Sequence, residues 1–168
     1  MELSDIYMPK YITVIGSSIV FDPKIKDIAY RVGLELAKHN VILICGGRGG
    51  VMEHVARGMK DGNGITIGIL PGVSRSEANQ YIDIAIPTGI SHARNMINVI
   101  AGDGVIVIGG GPGTLTEIGY ALIFDKKVVV IKGSGGVADI LADKTIGGKK
   151  IYSAETPTQA VEKILSRD

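Results

Sequence analysis

Short apolar runs, rich in β-branched residues, alternate with helical patterns along the whole chain. Tyr11–Ile15 predicts a first strand that ends at Gly16-Ser17-Ser18. Asp22-Pro23 then reads as an N-cap followed by proline at the first helical position. Ile25, Ile28, Ala29, Val32 and Leu36 give that helix a one-sided apolar stripe to about His39. Val41–Cys45 predicts a second strand, and Gly46–Gly50 leads into a helix through Val51, Met52, Val55 and Met59. Strands are expected at Ile65–Leu70 and Ile82–Ile86, then a helix over Ser91–Ala101 and a strand at Val105–Ile108. After the cluster Gly109–Gly113, a helix is expected from Leu115 to about Phe124 and a strand at Val128–Ile131. A helix near Val137–Leu141, a brief strand around Ile151 and a last helix complete the pattern; Thr156-Pro157-Thr158-Gln159 announces that helix as a capping box.

Several of these strands are apolar at every position, which is how strands covered on both faces read. The repeated strand–helix order therefore predicts an α/β fold, a doubly wound Rossmann-like domain over residues 1–168, with a mostly parallel sheet and helices on both faces. At 168 residues, 45% hydrophobic and 21% charged, the chain has the size and composition of one folded domain. Its net charge of +1 gives no bulk electrostatic reason to expect nucleic acid or an anionic membrane as partner. A single cysteine, Cys45, excludes an internal disulfide and fits a reducing compartment. Met1–Asp5 lacks the basic-then-apolar pattern of a leader, and no apolar run approaches the ~18 residues of a membrane span. A cytoplasmic protein is expected.

The 24 glycines amount to about twice the usual ~7% share, and they fall in clusters after the apolar runs. Three clusters matter: Gly16–Ser18, Gly46–Gly50 and Gly109–Thr114 each join a strand end to a helix N-terminus. Ligands of doubly wound sheets sit beyond the carboxyl ends of the strands. Loops without side chains let backbone N–H groups approach an anion, and the helix dipole adds to the attraction. Glycine also suits any tight turn, but three such loops on one edge favour a phosphate site. The Walker pattern is absent, and G-x-G-x-x-G fails at all three loops. A looser G-x-G-x-x-A at Gly133, Gly135 and Ala138 lies on a late strand, away from the opening strand where a dinucleotide fingerprint belongs.

Gly109-Gly110-Gly111-Pro112-Gly113-Thr114-Leu115-Thr116-Glu117 is the most informative segment. Thr114 and Glu117 have the spacing of a capping box, which is one reading of the glutamate. The other is that a carboxylate in the first helical turn faces a ligand on the glycine loop, where it would bind sugar hydroxyls or act on water. The segment resembles the P-G-G-x-G-T-x-x-E motif of the Lonely Guy (LOG) family, once widely labelled "possible lysine decarboxylase". Gly110, Gly111, Gly113, Thr114 and Glu117 match, and Gly109 replaces the leading proline. The family's earlier G-G-G-x-x-G-x-M-G motif is matched by Gly46, Gly47, Gly50 and Met52, with Cys45 and Glu53 in place of its outer glycines. Its Arg-Lys pair is represented by Arg94, with Asn95 at the lysine position. The resemblance runs in register over residues 16–125, and these departures place the chain nearest the branch that includes molybdenum cofactor carrier proteins.

The resemblance implies a bound nucleoside monophosphate or molybdopterin-type cofactor, no required cofactor, and a homodimer or higher homo-oligomer. It also implies an alternative activity, hydrolysis of the N-glycosidic bond of nucleoside 5′-monophosphates, with Arg94 and Glu117 as the catalytic pair. Gly16, Ser17, Ser18, Gly46, Gly47, Met52, Asn95, Gly110, Gly111, Gly113 and Thr114 are the expected ligand-binding residues. A pyridoxal phosphate decarboxylase is not supported, since Lys132 beside Gly133 is the one lysine at a glycine-loop strand end. His39, His54 and His92 are too far apart for a metal motif. His92 and Arg48 are secondary candidates for lining the groove, and Cys45 reads as a buried structural thiol.

Overall fold

The expected strands form in the computed structural model, which describes residues 8–167. The segment Met1–Asp5, with its lack of a leader pattern, lies outside them. The strands are β1 (Lys10–Gly16), β2 (Val41–Cys45), β3 (Ile65–Leu70), β4 (Ile84–Pro87), β5 (Gly104–Ile108), β6 (Lys127–Ile131), β7 (Thr145–Ile146), β8 (Lys149–Lys150) and β9 (Tyr152–Ala154). The helices are α1 (Pro23–Ala37), α2 (Val51–Asp61), α3 (Arg94–Ile100), α4 (Pro112–Ile123), α5 (Gly136–Leu141) and α6 (Pro157–Leu165). Seven strands make one sheet in the order β4-β3-β2-β1-β5-β6-β9, with every neighbouring pair parallel. The fold is α/β and Rossmann-like.

The all-apolar strands have the physical cause expected of them. On β5, Ile106 and Ile108 join one core with Ala29, Val32 and Leu36 of α1, Val55 and Met59 of α2 and Ile164 of α6. Val105 and Val107 join a second core with Val99 of α3, Ile118 and Leu122 of α4 and Ala138 of α5. Successive strand residues face opposite sides, so both sides must be apolar. β1 lies between β2 and β5, with Gly16 level with Ile108. Strand order reverses at β1, and the crevice above such a reversal is where open sheets take ligands.

Gly33 and Gly58 let α1 and α2 touch backbone to backbone. A Cβ at Gly58 would stand 1.9 Å from the Tyr30 carbonyl oxygen, and one at Gly33 would stand 2.1 Å from that of Val55. Gly58→Ala is therefore expected to lower the unfolding free energy by about 2 kcal/mol despite alanine's better helix propensity, as urea denaturation would show. A gain in stability would mean that the helices can part without loss.

Element boundaries differ from the sequence reading where turn chemistry intervenes. The helix expected from Leu115 begins at Pro112, because proline is suited to the first helical position. The segment expected to open one helix at Ser91 starts with a 3₁₀ turn over Ser91–Ala93, and α3 proper begins at Arg94. Ser91 has a φ of 54°, which is incompatible with a regular first turn. β4 lies two residues later than expected at its start, since Asp83 is drawn instead into hydrogen bonds with Thr66 and Lys60. A two-residue hairpin, β7–β8, adds to the expected pattern, and Gly147-Gly148, with φ of 56° and 77°, carries its turn signal. At the last helix the capping box is half realised: Thr156 accepts from the Gln159 N–H, while the Gln159 side chain accepts from the Glu155 N–H.

Candidate functional site

The ends of β1, β2 and β5 meet in one cleft of about 560 Å³, which is within the usual range for small-molecule sites. Its walls include Gly16, Ser17 and Ser18 from the first loop and Gly46, Arg48 and Gly49 from the second. Met52 of α2, His92, Arg94 and Asn95 also line it, with Gly111, Gly113, Thr114 and Glu117 at the start of α4. Gly47 and Gly110 are not among the lining residues. Gly47, at a φ of 77°, shapes the loop from behind: a Cβ there would stand 2.8 Å from Leu70 Cδ2 and 3.1 Å from Gly68 Cα.

Internal hydrogen bonds knit the loops together. The Gly110 N–H donates to Ser17 Oγ at 2.9 Å, and the Gly109 N–H donates to Ser134 Oγ at 2.9 Å. The Ser17 carbonyl accepts from the Val51 N–H at the same distance, and Thr114 Oγ1 donates to the Gly16 carbonyl at 3.2 Å. Two amides of the third glycine cluster are thus spent within the protein. The amides left for an anion are those of the α4 first turn, Gly113 and Thr114, because N-cap Gly111 offers no side chain and helical geometry gives them no acceptor. α2 starts at Gly50 without a side-chain cap, and its first amide, that of Val51, is the one bonded to the Ser17 carbonyl. The Thr114–Glu117 capping box is not formed: Thr114 is the third residue of α4, and neither side chain caps the helix.

Glu117 lies at the cleft floor with 7% of its surface exposed. Burial pushes its carboxyl up to about 7, against the opposing pull of the Arg94 charge and a hydrogen bond from Asn98. Asn98 Nδ2 donates to Glu117 Oε2 at 3.2 Å. Arg94 Nη1 donates to Asn95 Oδ1 at 3.0 Å, while its buried Nε has no partner. Asn95 in turn donates to Thr116 Oγ1 at 3.2 Å, so the residue at the family's lysine position braces α3 against α4. Gly46 makes room for the arginine: a Cβ there would stand 2.8 Å from both Nη1 and Nη2 and 2.4 Å from Met52 Sδ. Burial lowers the Arg94 pKa, though a guanidinium keeps its charge.

Other candidates separate cleanly. Cys45 is fully buried and its thiol is pushed up to about 11 by that burial, the state of an unreactive structural thiol. Lys132 is held by Asp143 at 2.8 Å on the surface. The Gly133–Gly135 loop is closed by the protein's own Asp139, whose carboxylate accepts from both glycine amides at 2.7 and 2.9 Å. Among the described residues, no group of three or more His, Cys, Asp or Glu is placed to hold a metal, and no helix is long and apolar enough to cross a membrane. Sequence reasoning missed Asn98 and Ser134. Asn98 stands four residues after Arg94, a helical spacing that puts both on one face and could have found it; nothing local marks Ser134, which reaches Gly109 from the end of β6.

The SLOG cluster4 family model matches residues 9–161. The chain belongs to the SLOG cluster4 family. It resembles the molybdenum cofactor binding protein of Rippkaea orientalis, with 35% identity, 94% of this chain and 96% of that one covered, and a TM-score of 0.85. The molybdenum cofactor carrier protein of Chlamydomonas reinhardtii aligns with a TM-score of 0.83 at 30% identity, over 95% of this chain and 99% of that one. A probable cytokinin riboside 5′-monophosphate phosphoribohydrolase of Oryza sativa subsp. japonica is 29% identical over 106 residues. That match covers 61% of this chain and spans about half (47%) of the rice protein. This SLOG cluster4 chain is therefore LOG-like in sequence and carrier-like in overall structure.

Proposed function

We propose that the cleft binds a phosphorylated, nucleotide-like ligand, a nucleoside monophosphate or a molybdopterin-type cofactor, and that the protein acts as its carrier. One observation carries this reading. The first turn of α4, with no side chain capping it, and an arginine with an unpartnered buried Nε converge in a cleft of about 560 Å³. Each of these features attracts an anion, and together they leave donors that a phosphate would satisfy. The Gly113 and Thr114 amides would take phosphate oxygens, and Arg94 would add a charge-assisted bond. The absence of a P-loop lysine suits one phosphate better than three. The likeness to the carrier and cofactor-binding proteins supports the same reading.

A second reading, phosphoribohydrolysis, is favoured by Glu117. A buried carboxyl with its pKa near 7, facing the arginine, is suited to supporting positive charge on a sugar or taking a proton from water. In that reaction water adds to the anomeric carbon, the N-glycosidic bond breaks, and base and ribose 5-phosphate leave.

Calorimetric titration with AMP, GMP and inorganic phosphate, followed by chromatography for free base, separates the two. Tight retention with no base released supports the carrier. Release that vanishes in Glu117→Gln and Arg94→Ala supports the hydrolase. Binding of neither nucleotide nor phosphate overturns both.

A further inference from the structure

Asn98 carries an unmet hydrogen-bonding demand that the phosphate site does not explain. Only 1% of the residue is exposed, it lines the cleft, and its Oδ1 has no partner. With Glu117 ionised, the amide turns Nδ2 to Glu117 Oε2, and Oδ1 is the atom left over. The backbone permits little escape, because the Asn98 carbonyl accepts from the buried Thr13 Oγ1 at 2.7 Å and pins α3 to β1. Buried acceptors without donors are rare in folded proteins, and one at the wall of a cleft points to a donor supplied by a ligand. Glu117, beside it, is a second acceptor.

We propose that Asn98 determines specificity, its Oδ1 accepting an O–H or N–H of the ligand while Glu117 accepts from the adjacent donor. The ligand recognised would present two neighbouring donors to the cleft floor. A ribose diol has that chemistry, and so does the edge of guanine and pterins on which a ring N–H stands beside the exocyclic amino group. This inference rests on the ligand-site reading above, and it assigns a role to a residue outside the glycine loops and the arginine–glutamate pair.

The test titrates the wild-type protein with AMP against 2′-deoxy-AMP, and with GMP against IMP, using inorganic phosphate as reference. In at least one pair the ligand with the extra donor should bind about tenfold or more tightly, since a site built around a hydrogen bond rejects the analogue that lacks it. Asn98→Leu should erase that preference, read as the ratio of Kd values within each pair. Preference in the AMP pair identifies the sugar as the source of the donors, and preference in the GMP pair identifies the base or pterin edge.

Equal affinity within both pairs for the wild type overturns the proposal without any variant being needed. So does a preference that survives in Asn98→Leu, which would leave Glu117 alone as the acceptor that sets it. Binding of phosphate but of none of the four monophosphates overturns this inference alone; if the wild type binds neither, the ligand-site reading itself fails and takes this inference with it.

Discussion

Replacing Glu117 with glutamine is expected to stabilise the protein at alkaline pH by about 3 kcal/mol, a gain that disappears in acid. Burial raises the carboxyl from an ordinary value of 4.5 to about 7 in the folded protein. Between those two values the folded state holds a proton that the unfolded chain has released. The stabilisation from this group is fully present below pH 4.5 and is lost as pH rises through 7. Above that, the folded state carries a buried charge that Arg94 and Asn98 only partly offset. Glutamine keeps the shape and an acceptor for Asn98 Nδ2 but has no charge to bury. Urea denaturation at pH 5 and pH 8 should show wild-type stability falling across that interval and Glu117→Gln nearly level. Parallel profiles for the two proteins would mean that the carboxyl titrates normally. A glutamate held at such a cost in the cleft, where glutamine would be safer, supports the proposed site.

The second large effect concerns a residue with no side chain. Gly46→Ala is expected to weaken binding of a monophosphate about a hundredfold, close to the loss in Arg94→Ala. A methyl group at Gly46 would occupy the space of the guanidinium and the Met52 sulfur, forcing Arg94 off its position against the backbone. Calorimetric Kd values for the two variants decide the matter, with Gly119→Ala as control. Gly119 lies on α4, where an added methyl would have nothing within 4 Å, so alanine there should bind normally. Normal affinity in Gly46→Ala would show that Arg94 does not hold the phosphate from its observed position.

The sites of these two effects differ in how plainly the sequence announces them. Gly46, Arg94 and Glu117 sit in spaced motifs, and each reads as a site residue from that spacing. Their surroundings are less legible. Thr114 and Glu117 have capping-box spacing, yet Pro112 starts the helix earlier, which moves the threonine inside it and frees both side chains for other partners. Ser17 reads as a phosphate contact, but its hydroxyl accepts from Gly110, ninety-three residues later in the chain. Gly110 reads as an anion-binding amide for the same local reason, and the same bond removes it from that role. Asn95 reads as a ligand contact and braces two helices as well.

What the sequence determined by itself is the order of strands and helices, the burial of the sheet on both faces, and the placing of three glycine loops at strand ends. Those follow from periodicity and from the short-range sterics of glycine and proline, which a linear pattern records. Only the tertiary structure decided which loop amides remain free, that Asn98 is left with an unpaired oxygen, and that Glu117 is buried enough to hold its proton near neutrality. Each of those depends on hydrogen-bond partners and lost water supplied by segments distant in the chain, and no local pattern encodes how distant groups divide their donors among themselves.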